Sequence, residues 1–140
     1  MIRKGLRMAQ KFKRDDEWDN EPDTDDFEAY GLFCAMRRND FGSWCGYVGI
    51  PDEHPLYTHN FENLELEVHG GLSYSGYKFK KNNGIHKKAK PIWWFGFDCS
   101  HYGDLMPINP TTFFDGEYRN YEYTKKQCIN LAKQLSSFSS

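Results

Sequence analysis

Histidine and aspartate side chains cluster in two short segments, and these residues have the widest range of chemistry in the chain. Residues 68–71 read VHGG, and residues 97–104 read FDCSHYGD. An imidazole beside carboxylates can bind a divalent metal ion through mixed nitrogen and oxygen ligands, or it can form a hydrogen-bonded acid/base pair. The paired glycines allow positive φ and a close approach of backbone to a ligand. The sequence therefore predicts a site built from these two segments.

Three interpretations of the two segments stay open at the level of residue type and spacing. In the first the residues are structural: Asp98 caps the turn after a strand, His101 lies in a surface loop, and Gly70 and Gly71 only make a turn. In the second they bind a ligand or a macromolecule, and in the third they are catalytic. The spacing of aspartate, cysteine and histidine is not a specific signature, so it does not decide among the three.

Three other features could contact a partner. Trp93 and Trp94 would point to opposite faces of a strand, so one could offer a stacking surface, with a core position as the alternative. Residues 78–90 hold six lysines and could bind phosphates or form a solvated loop. Residues 15–28 hold nine acids and no base, and they could imitate nucleic acid, dock on a basic partner surface, or only keep the chain in solution. A Walker loop, a dinucleotide fingerprint, a zinc-protease motif and a nucleophile elbow are all missing from the sequence, which removes those enzyme classes.

The elements that must position these residues follow from hydrophobic periodicity. Two apolar, aromatic runs, residues 30–37 and 43–50, are joined by turn formers and predict a β-hairpin. Residues 64–69 alternate strictly, with apolar Leu64, Leu66 and Val68 on one side, and predict a third strand. Short strands are also predicted at residues 72–77 and 91–98, the second of them central in the sheet because it is the most hydrophobic segment. The last element is an amphipathic helix over residues 118–138, whose apolar face comprises Tyr121, Thr124, Cys128, Leu131, Leu135 and Phe138.

This order of elements predicts an α+β fold, an antiparallel β-sheet of about five strands packed against a C-terminal amphipathic helix. Residues 1–14 carry six bases and no acid, directly before the acidic block. Opposed charge blocks of this kind are typical of a mobile or loosely docked arm. We therefore predict a charged arm over residues 1–28, basic and then acidic, followed by a single domain over residues 29–140.

Composition is that of one globular domain. The 140 residues are 17% aromatic and carry a net charge of −2, and a chain of this length can bury roughly two-thirds of its unfolded surface. No apolar stretch reaches the eighteen or so residues of a membrane span, and the first residues lack the apolar run of a signal peptide. We expect a protein of the cytoplasm that has no contact with a membrane.

The four cysteines, Cys34, Cys45, Cys99 and Cys128, fall at wide spacings without a CxxC pair. In a chain without a secretory signal, this pattern favours buried free thiols over disulfides. A four-cysteine zinc site is the alternative, although the paired spacing typical of such sites is missing.

Three segments together form a recognisable set: residues 44–51 (WCGYVGIP), 68–74 (VHGGLSY) and 94–104 (WFGFDCSHYGD). They resemble a family of small, uncharacterised proteins encoded by bacteriophages and prophages, which share CGYVG, HGGLxY and GFDCxHxGD segments. The tyrosine-rich start of the C-terminal helix fits the same pattern, so the resemblance covers roughly residues 44–135. It implies a phage accessory protein that acts on host machinery or host defence, in the host cytoplasm, and it implies no mechanism.

The leading expectation is a protein that works by binding a host protein or a small, nucleotide-like molecule. The ligand-binding residues would be His69, Gly70, Gly71, Tyr74, Trp94, Asp98, His101 and Asp104. The alternative is a metal-dependent hydrolase in which His69, Asp98, His101 and Asp104 hold an ion that activates water. An acidic protein that imitates DNA through residues 15–28 ranks third. The sequence specifies no cofactor, and we do not expect direct binding of nucleic acid.

Overall fold

Five β-strands precede one α-helix in the part of the chain that the structure describes, which is residues 17–79, 91–108 and 116–138 of a computed structural model. In chain order they are β1 Thr24–Ala29, β2 Leu32–Arg38, β3 Trp44–Ile50, β4 Tyr74–Gly76, β5 Trp93–Asp98 and α1 Tyr121–Ser136. All neighbouring strands are antiparallel, and their order across the sheet is β1-β2-β3-β5-β4. The predicted α+β class, an antiparallel sheet packed against a C-terminal helix, is confirmed. In these ranges no helix has both the length and the apolar character needed to cross a membrane.

The predicted hairpin is strands β2 and β3, which pair from Phe33 opposite Gly49 to Arg38 opposite Trp44. Asn39 makes the turn, because its side-chain oxygen accepts hydrogen bonds from the backbone N–H groups of residues 41 and 43 at 2.9 and 3.1 Å. Asparagine favours turns for this reason. The hairpin brings Asn39 and the turn beside the end of β5, where the polar residues of the site lie.

Residues 64–69 were predicted as a strand, and that prediction is wrong. The segment is extended, and Leu64, Leu66 and Val68 do pack on the core as their alternation indicated. Its backbone, however, hydrogen-bonds to side chains of α1, whereas the backbone of a strand would hydrogen-bond to a neighbouring strand. Glu67 N–H donates to Gln134 Oε1 at 2.8 Å, and Gln134 Nε2 and Asn130 Nδ2 donate back to the Glu67 carbonyl. Amide side chains thus satisfy backbone groups that a sheet would otherwise pair.

The acidic block contributes a strand that the sequence did not predict. β1 forms the edge of the sheet along β2, and Trp18 ahead of it is only 3% exposed. Arg37 of β2 pairs with Asp26 at 2.9 Å, so the acids here neutralise buried bases. The domain boundary predicted after residue 28 therefore moves toward the N-terminus, at least to Glu17. Residues 1–16, which comprise the basic half of the predicted arm and the first two acids, lie outside the described residues.

Glu21 links this segment to the beginning of α1. Its carboxylate accepts hydrogen bonds from Trp44 Nε1 at 3.2 Å and from the Tyr118 hydroxyl at 2.6 Å. Arg38 also donates to it, at 3.1 Å. The second carboxylate oxygen accepts from the backbone N–H of Tyr121, the first residue of the helix, at 2.9 Å. A negative charge at a helix N-terminus is favourable, because four N–H groups there have no partner within the helix.

Apolar residues cover both faces of the sheet. On the helix face, strand residues such as Val48 and Phe95 pack against Cys128 and Leu131 of α1. On the other face a smaller cluster comprises Ala35, Phe79, Ile92 and Trp94. The two neighbouring tryptophans therefore point to opposite faces of the sheet: Trp93 packs on the helix side, and Trp94 lies on the other side at 1% exposure.

All four cysteines are buried free thiols, as predicted. The predicted face of the helix is also largely confirmed, since Thr124, Cys128, Leu131 and Leu135 are buried, whereas Phe138 is 40% exposed. Most of the predicted lysine-rich loop, residues 80–90, lies outside the described residues.

Candidate functional site

The predicted site residues lie at one end of the sheet, where β5 stops, and they separate into two clusters. His69 and Asp104 lie on the side of α1 together with Arg119 and Tyr123, and we call these four residues the helix-side cluster. Asp98 faces away from the helix and lines a cleft on the other side of the sheet. His101 lies between the two groups.

The helix-side cluster is a chain of short hydrogen bonds. His69 Nε2 lies 2.8 and 3.0 Å from the two carboxylate oxygens of Asp104, and its Nδ1 lies 2.8 Å from the hydroxyl of Tyr123. Arg119 Nε donates to Asp104 at 2.8 Å. Because an ionised carboxylate only accepts hydrogen bonds, Nε2 carries a proton that it donates to Asp104, and Nδ1 pairs with the hydroxyl of Tyr123.

Each member of this cluster is positioned by a different element. The His69 backbone N–H donates to Gln127 Oε1 of α1 at 2.9 Å, which fixes the end of the extended segment on the helix. Asp104 forms an isolated parallel bridge with Glu117, and its backbone N–H donates to the His101 carbonyl at 2.8 Å. Tyr123 belongs to the first turn of α1, where the side chain of Asn120 accepts its backbone N–H.

Asp104 is 1% exposed and ionised. Burial alone would raise its pKa, but hydrogen bonds from Arg119, His69 and the backbone N–H of His101 outweigh burial and lower the pKa below its ordinary value. The hydrogen bond that Arg119 donates to Asp104 is also the main cause that raises the pKa of the Arg119 guanidinium above its ordinary value. Burial raises the pKa of Tyr123, so the phenol keeps its proton.

The cleft on the opposite face has a volume of about 290 Å³. Its polar groups are connected: Asp98 accepts from Ser73 Oγ at 2.9 Å and from the Ser100 backbone N–H at 3.1 Å, and Asn39 Nδ2 donates to Ser100 Oγ at 2.9 Å. The Asp98 side chain is 28% exposed. Four aromatic residues, Phe41, Tyr47, Tyr74 and Phe97, line the rest of the cleft together with Cys45. The cleft therefore combines an accessible carboxylate with flat apolar surfaces.

Trp94 supports this cleft from beneath. The ring of Phe79 stacks on Tyr47 at 4.0 Å between centroids, and its edge meets Trp94 at 4.9 Å. Burial raises the pKa of Tyr47 far above its ordinary value, so this phenol is neutral. Trp94 thus holds the aromatic wall in place, and its own ring is covered.

Gly70 and His101 connect the two clusters. Gly70 has φ +69°, and a Cβ there would lie 2.3 Å from the imidazole of His101. Only glycine combines this backbone conformation with such a close ring. The His101 ring is 6.1 Å from the His69 ring, and its Nε2 is 3.3 Å from Asp98 Oδ1.

The structural interpretation of three residues is partly confirmed. Asp98 accepts the N–H two residues on, as a turn cap does. Gly70 and Gly71 both have positive φ, and they form a turn closed by the Gly71 N–H donating to the Val68 carbonyl at 2.8 Å. These roles do not compete with binding, since the same turn shapes the rim between the clusters.

The four residues of the predicted metal site do not converge on one point. His69 pairs with Asp104, and His101 lies nearest Asp98. Within the described ranges, no group of three or more histidine, cysteine, aspartate or glutamate side chains has an arrangement that could hold a metal ion.

Sequence reasoning missed four residues that complete the site: Arg119 and Tyr123 in the helix-side cluster, and Asn39 and Ser73 in the cleft. Their positions offered a weak signal. Tyr123 falls on the polar side of the predicted helix, and an aromatic ring there indicates a contact beyond the core.

Comparisons of the chain with protein-family models, with curated proteins and with solved structures find no match. The resemblance to phage-encoded proteins therefore stays a prediction from the sequence motifs.

Proposed function

We propose that the protein works by binding, and that its ligand is a small, nucleotide-like molecule held in the cleft beside Asp98. The observation that carries this proposal is the contrast between the two clusters. The side chains of His69 and Asp104 are only 12% and 2% exposed, whereas that of Asp98 is 28% exposed and lines an open cleft between aromatic walls.

The chemistry of the cleft matches a flat heterocycle with N–H donors. A carboxylate accepts hydrogen bonds from amino and imino groups on a base edge, and Asp98 is the acidic residue of this cleft. Serine and asparagine side chains beside it can donate to ring nitrogens or carbonyl oxygens. Tyr74 and Phe41 offer ring faces, and Phe41 is 50% exposed. Mostly apolar walls with a few placed polar groups are typical of small-molecule sites.

The helix-side cluster serves this site as a scaffold. His69 and Asp104 clamp the loop that carries His101 and the end of β5 against α1. A rigid support matters because a binding group must be held within a fraction of an ångström of its productive position. On this proposal, loss of His69 weakens ligand binding indirectly, through the position of His101 and Asp98.

The biological setting of the proposal comes from the sequence resemblance. A phage accessory protein that captures a nucleotide-like host molecule would lower its free concentration and so oppose host defence. The metal-dependent hydrolase stays the alternative prediction, for which the described residues supply no three-ligand group.

Isothermal titration with the four nucleoside monophosphates tests the proposal. We expect saturable binding that is strongest for guanine, because its edge presents two adjacent N–H donors to a carboxylate. Asp98→Asn should weaken binding by about tenfold or more, since a charge-assisted hydrogen bond is worth ~1.5–3 kcal/mol. The matched control is Glu62→Gln, an exposed carboxylate outside the cleft, which should bind like the wild type. Failure of all four nucleotides to bind would reject the proposal.

A host protein is the second candidate ligand, favoured by large apolar side chains at the same end of the sheet. Phe41, Tyr102 and Ile108 are 50%, 91% and 58% exposed, and the Ile108 N–H donates to the Phe41 carbonyl at 2.9 Å. Exposed apolar side chains that lie together often mark protein interfaces. Tyr102→Ser should then abolish co-purification with a host protein while leaving nucleotide binding unchanged, and the small-ligand proposal predicts no such partner.

A further inference from the structure

Strand β1 forms one edge of the sheet, and among the described residues no strand pairs with its outer side. Its six residues pair with β2 without a bulge, from Thr24 opposite Arg37 to Ala29 opposite Leu32. Natural proteins usually protect an edge strand with charged side chains, proline, a bulge or a very short length. β1 reads TDDFEA, so its acids are the protection that it has, and their pairing decides how open the edge is.

The hairpin turn determines which backbone groups of β1 point outward. Ala29 and Leu32 flank the two-residue turn and therefore exchange both backbone hydrogen bonds. Bonded and non-bonded pairs alternate along an antiparallel ladder, so Phe27 and Asp25 also bond to β2. The N–H and C=O groups of the other three residues point away from the sheet; these residues are Thr24, Asp26 and Glu28.

The two faces of β1 differ in character. Phe27 and Ala29 are partly buried against the core on the side of α1. Thr24, Asp26 and Glu28 are exposed on the opposite face. An added strand would continue this alternation, since successive side chains point to opposite faces of a sheet. Its apolar side chains would extend the core next to Phe27, and its polar ones would lie beside Asp26 and Glu28.

Glu28 is the acid of β1 whose charge is not neutralised. Asp25 pairs with Lys125 at 3.1 Å, and Asp26 pairs with Arg37 at 2.9 Å. Within the described ranges Glu28 has no hydrogen bond and no ion pair. Its carboxylate is therefore available to a base from outside, whereas the other two acids of the strand already have one.

Glu28 also lines a cavity of about 230 Å³. The other walls include Phe33, Pro51 and Ile92, and Glu28 is the charged residue among those that line the cavity. This volume is below the roughly 300–1,000 Å³ of sites for drug-sized ligands, and it suits a single side chain. Lysine and arginine lay an aliphatic stem on apolar surface and keep the charged head at a polar rim, which matches a carboxylate beside apolar walls.

We propose that β1 binds an extended segment of a partner protein, which joins the sheet antiparallel to β1 and places a lysine or arginine beside Glu28. Side chains directly opposite in such a pair have Cβ atoms about 5 Å apart, so a base opposite Glu28 reaches its carboxylate. Main-chain hydrogen bonds supply affinity, and the alternation of basic and apolar side chains supplies specificity. This surface shares no residue with the cleft beside Asp98.

A second copy of β1 fits this edge less well than a basic segment does. In antiparallel registers centred on Asp26 or Phe27, carboxylates of the two strands lie directly opposite one another. Like charges in that position destabilise a strand pair, and β1 of a second copy carries no base for Glu28. Charge complementarity therefore favours a partner of different sequence.

Fluorescence anisotropy with labelled hexapeptides tests the proposal. The full chain should bind Lys-Val-Lys-Val-Lys-Val saturably, and it should bind Glu-Val-Glu-Val-Glu-Val at least about tenfold more weakly at the same ionic strength. Backbone methylation then identifies the bonded edge, because a lysine opposite Glu28 directs its own N–H toward β1. Methylation of the lysine amides should weaken binding by about tenfold or more, whereas methylation of the valine amides should leave it within about threefold.

Two charge reversals complete the test. Glu28→Lys should weaken binding of the lysine peptide by about tenfold or more and should favour the glutamate peptide, because it changes the sign of the charge at the edge. Glu65→Lys makes the same change at an exposed carboxylate outside β1 and should bind within about twofold of the wild type.

Equal binding of the two peptides, binding of neither, or unchanged binding by Glu28→Lys would overturn the proposal. Loss of binding on methylation of the valine amides, with methylated lysine amides tolerated, would do the same. Two results would assign the edge to another occupant and also overturn it. One is a dimer in sedimentation velocity that the lysine peptide does not dissociate. The other is peptide binding only after Lys11→Gln, Lys13→Gln and Arg14→Gln in the chain's own basic block.

Discussion

At the scale of single residues, Asp104 is surrounded by three donors that come from separate parts of the chain. His69 ends the extended segment, Arg119 precedes α1, and the third donor is the backbone N–H of His101. These bonds fix the loop that carries His101 and that directly follows Asp98, the last residue of β5. The carboxylate of Asp104 therefore stabilises this end of the sheet and does not line the cleft.

Asp104→Asn should lower the free energy of unfolding by about 1.5–3 kcal/mol, because it removes the charge from three buried hydrogen bonds. Urea denaturation measures the change. Asp98→Asn is the matched control, since its side chain is 28% exposed against 2% for Asp104, and its cost should be well under 1.5 kcal/mol. Equal costs for the two variants would contradict the scaffold role of Asp104.

The same carboxylate gives a pH dependence whose sign follows from its lowered pKa. The unfolded chain binds the proton near pH 3.8 and the folded protein binds it at a lower pH, so this part of the stability is complete above pH 3.8 and is lost as the pH falls below it. The stability of the wild type should therefore drop more steeply between about pH 5 and pH 2 than that of Asp104→Asn. Parallel curves for the two proteins would show that Asp104 has no such linkage.

Residue types in the sequence were enough to single out His69, Asp98, His101 and Asp104 as candidate site residues, because titratable side chains beside glycines at strand ends are visible without a structure. The pairing among them was not predictable. His69 meets Asp104 only because residues 64–69 dock on the helix, and Tyr123 and Arg119 join them through contacts that span 54 and 15 residues. Contacts of this range depend on packing that no local pattern encodes.

At the scale of elements, the segment of residues 64–69 shows what alternation does and does not predict. Its apolar residues face the core as the pattern indicated, since the period of an extended chain is two in any context. The hydrogen-bond partners of its backbone are side chains of α1, chiefly Gln127 and Gln134. Glutamines on the polar side of a predicted helix look like solvent-facing residues, so the sequence alone favoured a sheet.

The β1–β2 hairpin offers a test at this scale. Ala29 pairs with Leu32, and the two-residue turn between them, Tyr30-Gly31, has φ +53° and +75°. Such a turn has positive φ at both positions and favours Asn-Gly. Tyr30 is 54% exposed, so Tyr30→Asn loses little packing and should raise the free energy of unfolding by about 0.5–1 kcal/mol. Tyr30→Val, which is β-branched, should lower it, and thermal unfolding measures both changes.

At the scale of the whole molecule, the acidic block is part of the sheet and of the helix cap. Composition predicted a separate arm because opposed charge blocks usually stay in solution. Here the acids meet bases that the sequence places far away: Asp26 meets Arg37, Glu21 meets Arg38, and Asp25 meets Lys125. Charge counts do not show which bases are buried, so the strand at Thr24–Ala29 could not be separated from a solvated tail.

Removal of residues 1–28 should abolish cooperative unfolding, since it takes away β1, the buried Trp18 and the carboxylate of Glu21. Differential scanning calorimetry of the truncated chain measures this directly. Glu21→Gln should lower the melting temperature of the full chain, whereas Glu28→Gln, on the exposed side of β1, should leave it nearly unchanged. A truncated chain that still unfolds cooperatively would return residues 17–28 to the role of an arm.

The most direct test of the central claim is an amide chemical-shift titration of isotope-labelled protein with guanosine monophosphate. Binding in the cleft predicts that the largest shifts occur at Asn39, Ser73, Asp98 and Ser100, with smaller shifts passing through His101 to His69. The Asp98→Asn substitution should suppress both the large and the smaller shifts. Largest shifts in the helix-side cluster or along β1, with the cleft unperturbed, would contradict the account.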